Sequence, residues 1–117
     1  MSQGNVNTSR LDGRNFAMRI ERSHDDAHIC VLGELDLSVI GSVDREVQRA
    51  EETDAGRIVL DLAELEFLDA SGIRLLLHLT ARSKSNGERF CITRARSPQV
   101  QRVIDLTGAA DVLPFVD

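Results

Sequence analysis

The chain has 117 residues, 42% of them hydrophobic, enough for one core but not for a separate catalytic domain. Its net charge is −5, and it has four Phe with no Trp or Tyr. Both features weigh against nucleic acid, because phosphate binding needs a basic surface and base stacking needs aromatic rings, so the partner is expected to be a protein or a small molecule.

Residues 1–13 are polar and lack the apolar core of about 7–15 residues that marks a signal peptide. A flexible N-terminal tail is expected there, followed by one domain over 14–117. No stretch nears the roughly 18 apolar residues of a spanning helix, so a cytoplasmic chain without membrane insertion is expected. From Asn15 to Glu21, Phe16, Met18 and Ile20 alternate with Ala17, Arg19 and Glu21, as in a half-exposed strand. A polar turn over 23–26 leads to a second strand, Ala27 to Leu32, and the two form a hairpin. His24 and His28 flank that turn with no third ligand at metal spacing and read as solvent-side residues. Cys30 and Cys91 each sit in an apolar strand-like run, where the usual role is a small buried hydrophobe; a redox pair is the alternative. Without a close Cys-x-x-Cys spacing no zinc site is expected.

The second strand runs into Gly33-Glu34-Leu35-Asp36-Leu37, where the glycine permits a bulge or a close backbone approach. Asp36 falls at the C-terminal edge of that strand, able either to cap the next helix or to bond a loop amide. Ser38 is the expected N-cap of a helix over 39–52, with Val39, Ile40, Val43, Val47 and Ala50 on one face. Gly41 weakens its first turn by about 1 kcal/mol relative to Ala, unless the helix starts late or packs closely there. After Thr53-Asp54-Ala55-Gly56, Ile58 to Leu60 form a short apolar run suited to a strand covered on both faces. Asp61 and Glu64 read as solvating the loop that follows.

Asp69-Ala70-Ser71-Gly72 opens a helix carrying Ile73, Leu75, Leu76, Leu77 and Leu79, which closes with Arg82, Lys84 and Asn86-Gly87. Glu88 to Thr93 supplies another strand. Ser97-Pro98 then starts a helix, with serine as cap and proline at the first helical position, that ends at Leu106-Thr107-Gly108. Val112 to Val116 makes a short terminal segment at the sheet edge. The order β-β-α-β-α-β-α predicts an α/β domain with one mixed sheet, packed helices and right-handed crossovers.

Ser71 lies where the first helical N–H groups lack partners and the dipole carries roughly half a positive charge, a place that favours a phosphate. Local chemistry alone reads it as an ordinary N-cap. A catalytic serine is disfavoured: His78 lies on the same helix face but about 10.5 Å along the axis, beyond the roughly 3 Å a base requires. There is also no Gly-x-Ser-x-Gly elbow and no Walker-type loop, so a nucleotide-hydrolysing enzyme ranks last. His78 reads as a helix-surface or packing residue. No catalytic residue, cofactor or metal is expected.

Gly33-Glu34-Leu35-Asp36 after a hydrophobic strand, Val59-Leu60-Asp61-Leu62, and Phe67-Leu68-Asp69-Ala70-Ser71-Gly72 before a leucine-rich helix together resemble the STAS domain. More narrowly, with Leu106-Thr107-Gly108 and Val112-Leu113-Pro114, they resemble the bacterial anti-sigma factor antagonists. The similarity runs from Phe16 to Val116. It implies a partner switch: the unphosphorylated antagonist binds an anti-sigma factor with serine kinase activity, a sigma factor is released, and phosphorylation ends the interaction until a serine phosphatase reverses it. The serine directly before the glycine of the motif, Ser71 here, is the phosphoacceptor that the resemblance implies. Asp36 and Asp69 match the acidic residues beside that hydroxyl, and Asp36, Asp69, Ser71, Gly72 and Arg74 form the implied partner-binding set. The chain departs at Ala70, where family members often carry a second serine or threonine. The alternative is a non-switching STAS scaffold, such as an accessory subunit of a transporter or of a stress-signalling assembly, with Ser71 only capping its helix.

Overall fold

Alternation of apolar and polar side chains along the strands sets the layering. The computed structural model describes residues 5–10, 15–23 and 25–116. Strands β1 (Asn5–Arg10), β2 (Phe16–Arg22) and β3 (Asp26–Leu35) are followed by helix α1 (Ile40–Glu51), then β4 (Arg57–Asp61) and β5 (Leu65–Leu68). Helix α2 (Ala70–Lys84), β6 (Phe90–Thr93), α3 (Pro98–Leu106), a 3-10 turn (Ala109–Asp111) and β7 (Phe115–Val116) complete the chain. The sheet order is β1-β2-β3-β4-β6-β7, with β5 pairing β3 beyond β4. The pairs β1–β2 and β2–β3 are antiparallel and the others parallel, so the sheet is mixed, as expected.

Phe16, Met18 and Ile20 of β2, Ile29 and Val31 of β3, Ile58 and Leu60 of β4, and Phe90 and Ile92 of β6 join one core with Val43, Val47, Leu76, Leu79, Val100 and Ile104 of the helices. The alternate residues Ala17, Cys30, Val59 and Cys91 are buried but lie outside that cluster, on the opposite face. Among the described residues helices therefore cover one face only, and the two-sided cover expected over β4 is not supplied by them. Arg82 pins α2 to α1 through Asp44 at 2.8 Å and Glu51 at 3.0 Å. Arg89 closes the end of α1 by donating to the carbonyls of Glu51 (2.7 Å) and Ala55 (2.8 Å).

Three elements differ from expectation. The tail expected over 1–13 contributes β1 at residues 5–10, which is held by pairing with β2 and not by apolar content of its own. Strand β5 is an addition: its two central residues are both exposed, so no alternation announces it. Helix α1 starts late, from Val39 with no side-chain cap, so Ser38 is not its N-cap. The Ser97 cap is as expected, accepting from the Val100 amide at 3.3 Å with Pro98 in the first turn.

Candidate functional site

The site is assembled by the β3–β5 pair. Leu35 lies opposite Leu68, and the Asp69 amide donates to the Leu35 carbonyl at 3.4 Å. Asp36 and Asp69 are each the next residue in the chain, so they leave neighbouring parallel strands, about 4.8 Å apart, at the same end of the sheet. Reaching this register requires a shift between Gly33 and Glu34. Gly33 takes φ of 88°, and a Cβ there would overlap the Asn15 carbonyl. The first turn of α2 rests on the same strand end. A Cβ at Gly72 would overlap Leu68 Cδ1 and press on the Leu35 carbonyl oxygen at 3.1 Å. Gly72 is buried, so it contributes to the site by letting the helix sit close.

The cap of α2 is Asp69, not Ser71. Its backbone is extended (φ −108°, ψ −174°), the geometry a cap needs, and its Oδ1 accepts from the Gly72 amide at 3.1 Å. Ser71 is consequently the second helical residue, half-buried, and its hydroxyl has no hydrogen-bond partner among the described residues. Asp36 behaves differently. Its Oδ1 accepts both the Ser38 amide (2.9 Å) and the Ser38 hydroxyl (2.5 Å), which selects the loop-amide role over the helix cap.

Ser71 opens onto a groove of about 300 Å³ between the start of α1 and α2, lined by Leu37, Ile40, Gly41, Asp44, Arg74, Leu75 and His78. The α2 residues in it follow helical spacing, so they form one stripe. Leu37 is 70% exposed, a large apolar side chain left in solvent beside the hydroxyl. Arg74 and His78 are exposed. Sequence reasoning singled out Ser71 and Arg74 but not Leu37, Ile40, Gly41 or Leu75 as site residues. The available signals were an apolar Leu37 between the polar Asp36 and Ser38, and a glycine at the start of an otherwise good helix.

The helix-free face carries a second, polar cluster. Register places Arg19, Cys30, Asp61 and Thr93 in one row across four strands, with Glu21, His28, Val59 and Cys91 in the next. Asp61 does not merely solvate its loop: it accepts from the Thr93 hydroxyl (2.6 Å), the Ala63 amide (2.8 Å) and His28 Nε2 (2.8 Å). Burial alone would raise its carboxyl, yet these donors hold it below the usual carboxylate value. His28 is therefore engaged with Asp61 instead of facing only solvent, and Glu64 pairs with Arg19 at 2.8 Å. His24 lies outside the described residues. Cys30 and Cys91 are free and stand on strands separated by β4, roughly 10 Å apart and beyond disulfide reach. Burial and the Asp61 charge push the Cys30 thiol up to about 11, so it remains protonated at neutral pH. Among the described residues no group of three or more His, Cys, Asp or Glu is placed to hold a metal ion. No helix there is long and apolar enough to cross a membrane.

Known proteins are similar to this chain in sequence and fold. Residues 18–114 match the family model described as Mlab, STAS domain. The chain is 27% identical over 103 residues to an anti-sigma F factor antagonist of Paenibacillus polymyxa, covering 86% of this chain and 87% of the relative. Its fold is similar to the crystal structure of an anti-sigma factor antagonist from Mycobacterium paratuberculosis, with a TM-score of 0.73 and 23% identity over 90% of this chain and 89% of that one. It is also similar to the anti-sigma factor antagonist SpoIIAA in its unphosphorylated form, with a TM-score of 0.70 and 22% identity over 86% of each chain. The mixed sheet with its three α-helices, the paired ends of β3 and β5, and the family match together make this chain a member of the STAS domain family.

Proposed function

We propose that this protein is an anti-sigma factor antagonist that acts by partner switching. In its unphosphorylated state it binds an anti-sigma factor with serine kinase activity, which frees a sigma factor. The kinase then transfers the γ-phosphoryl group of ATP to Ser71 Oγ, the hydroxyl proton departs, ADP is released and binding ends; a serine phosphatase restores the antagonist. The STAS family is generally non-catalytic, and the chain's own role is that of substrate and ligand. One observation carries this reading: Asp69 has taken over the helix cap, so Ser71 holds a hydroxyl that no described residue engages.

The electrostatics favour a switch over an unfolding event. A phosphoserine adds about −1.5 to −2 charges at neutral pH. At the second position of α2 the helix dipole softens that charge, so the fold survives modification. A partner packed over Ser71 has to desolvate the dianion, which weakens binding. Intact mass and phosphopeptide mapping of the protein from its own cells, with and without phosphatase, is the test. A phosphatase-sensitive phosphate at Ser71 is expected, and a Ser71 that stays unmodified across growth and stress conditions would overturn the switch.

A non-switching scaffold is the second reading. What favours it is a second surface, between β5 and α3, where Phe67 is 47% exposed beside a cleft of about 210 Å³ formed with Gln99, Val100 and Val103. Ser71→Ala and Ser71→Asp variants with equal affinity for their partner would select it.

A further inference from the structure

We propose that the α1–α2 groove beside Ser71 seats an apolar side chain of the anti-sigma factor, and that Arg74 on its rim pairs with a carboxylate of the same partner. The inference rests on the antagonist reading and adds to it the chemistry of the contact.

Shape and polarity point the same way. The groove floor is apolar through Ile40 and Leu75, and Leu37 stands over it 70% exposed, a cost in water that a covering partner removes. Gly41 gives the groove its clearance: a Cβ built there meets nothing within 4 Å. The walls are fixed, because Arg82 ties α2 to both Asp44 and Glu51 of α1. The acidic residue of the lining, Asp44, is already engaged by Arg82 at 2.8 Å. Arg74 has no ion-pair or hydrogen-bond partner among the described residues, so in a chain of net charge −5 the groove lining holds a cation free to pair with a partner's acid. The complementary occupant is an apolar side chain next to an acid.

Gly41 supplies a test in which binding and stability move in opposite directions. Leucine is a far better helix residue than glycine, so Gly41→Leu fills the groove while leaving the thermal midpoint unchanged or higher. The serine-kinase anti-sigma factors of the source bacterium are purified and titrated one at a time, by calorimetry, with wild type, Ser71→Asp, Gly41→Leu and Arg74→Glu. The expected result is one partner that binds wild type, loses Ser71→Asp, and binds Gly41→Leu and Arg74→Glu at least about tenfold more weakly, the scale of an interface hot spot. If a partner binds wild type and rejects Ser71→Asp but holds Gly41→Leu and Arg74→Glu within about twofold, the groove assignment is overturned and the antagonist reading stands. If none binds wild type, both are overturned together.

Discussion

Two strand-to-helix junctions carry the same Asp-x-Ser spacing and put it to opposite use. After β3, Asp36 engages both the amide and the hydroxyl of Ser38, and α1 begins only at Ile40 with no side-chain cap. After β5, Asp69 sits directly before the first helical residue, so its carboxylate reaches forward to the Gly72 amide and leaves the Ser71 hydroxyl unengaged among the described residues. The phase of the helix relative to the acid decides the outcome. Where the helix starts at once, the acid becomes the cap and the serine is presented; where it starts late, the acid folds back on the serine and consumes it.

The glycines of the two helix starts separate the junctions most sharply. Gly72→Val places a branched side chain against Leu68 and the Leu35 carbonyl, and urea unfolding is expected to show a loss of about 3 kcal/mol, the upper range of core overpacking. Gly41→Ala, at the other junction, meets open space and should stabilise by up to about 1 kcal/mol. A loss at Gly41 as large as that at Gly72 would mean that the two helix starts are packed alike.

A third strand-end acid, Asp61, extends the comparison to pH. Its carboxyl is held below the usual value, so its stabilisation is complete above the unfolded value of about 4, declines as pH falls through that value, and is gone beneath the folded one. Asp61→Asn should cost about 1–2 kcal/mol at pH 7 and less at pH 3, below the unfolded value of about 4. Urea midpoints at the two pH values give the answer, and a variant that loses as much on acidification as wild type would remove Asp61 from the acid response. Asp69→Ala should cost about 1 kcal/mol through loss of the cap, and Asp36→Ala less, because its two bonds are exposed and serve no helix.

Much of this was legible in the residues, and the failures share a cause. Strands β3, β4 and β6 announce themselves as apolar runs, α3 by Ser97-Pro98, and the Asp-Ala-Ser-Gly start of α2 by its place before a leucine-rich stripe. Strand β1, written Asn-Val-Asn-Thr-Ser-Arg, and β5, with exposed Glu66 and Phe67 at its centre, exist because a neighbouring strand offers its edge. The cap of α2 differs from the local reading for the same reason. Asp69 takes the extended cap geometry while its amide bonds the Leu35 carbonyl, a contact 34 residues away in sequence (69 − 35). His28, Asp61 and Thr93 likewise meet only through strand register, so no local window reveals that network.

The smallest effect is the most informative. Ser71→Ala removes a hydroxyl that holds nothing within the described residues, so the free energy of unfolding should change by no more than about 0.5 kcal/mol. Ser38→Ala removes a hydroxyl bonded to Asp36 and should cost a little more, at the low end of about 0.5–1.5 kcal/mol, because that bond is exposed. Measured side by side, the two serines reverse the ranking that a cap at Ser71 demands. A loss of 1 kcal/mol or so at Ser71, the cost of removing a cap, would make its hydroxyl structural and withdraw the feature on which the switch rests. A silent Ser71→Ala that also abolishes phosphate incorporation would leave modification as the one use for that oxygen.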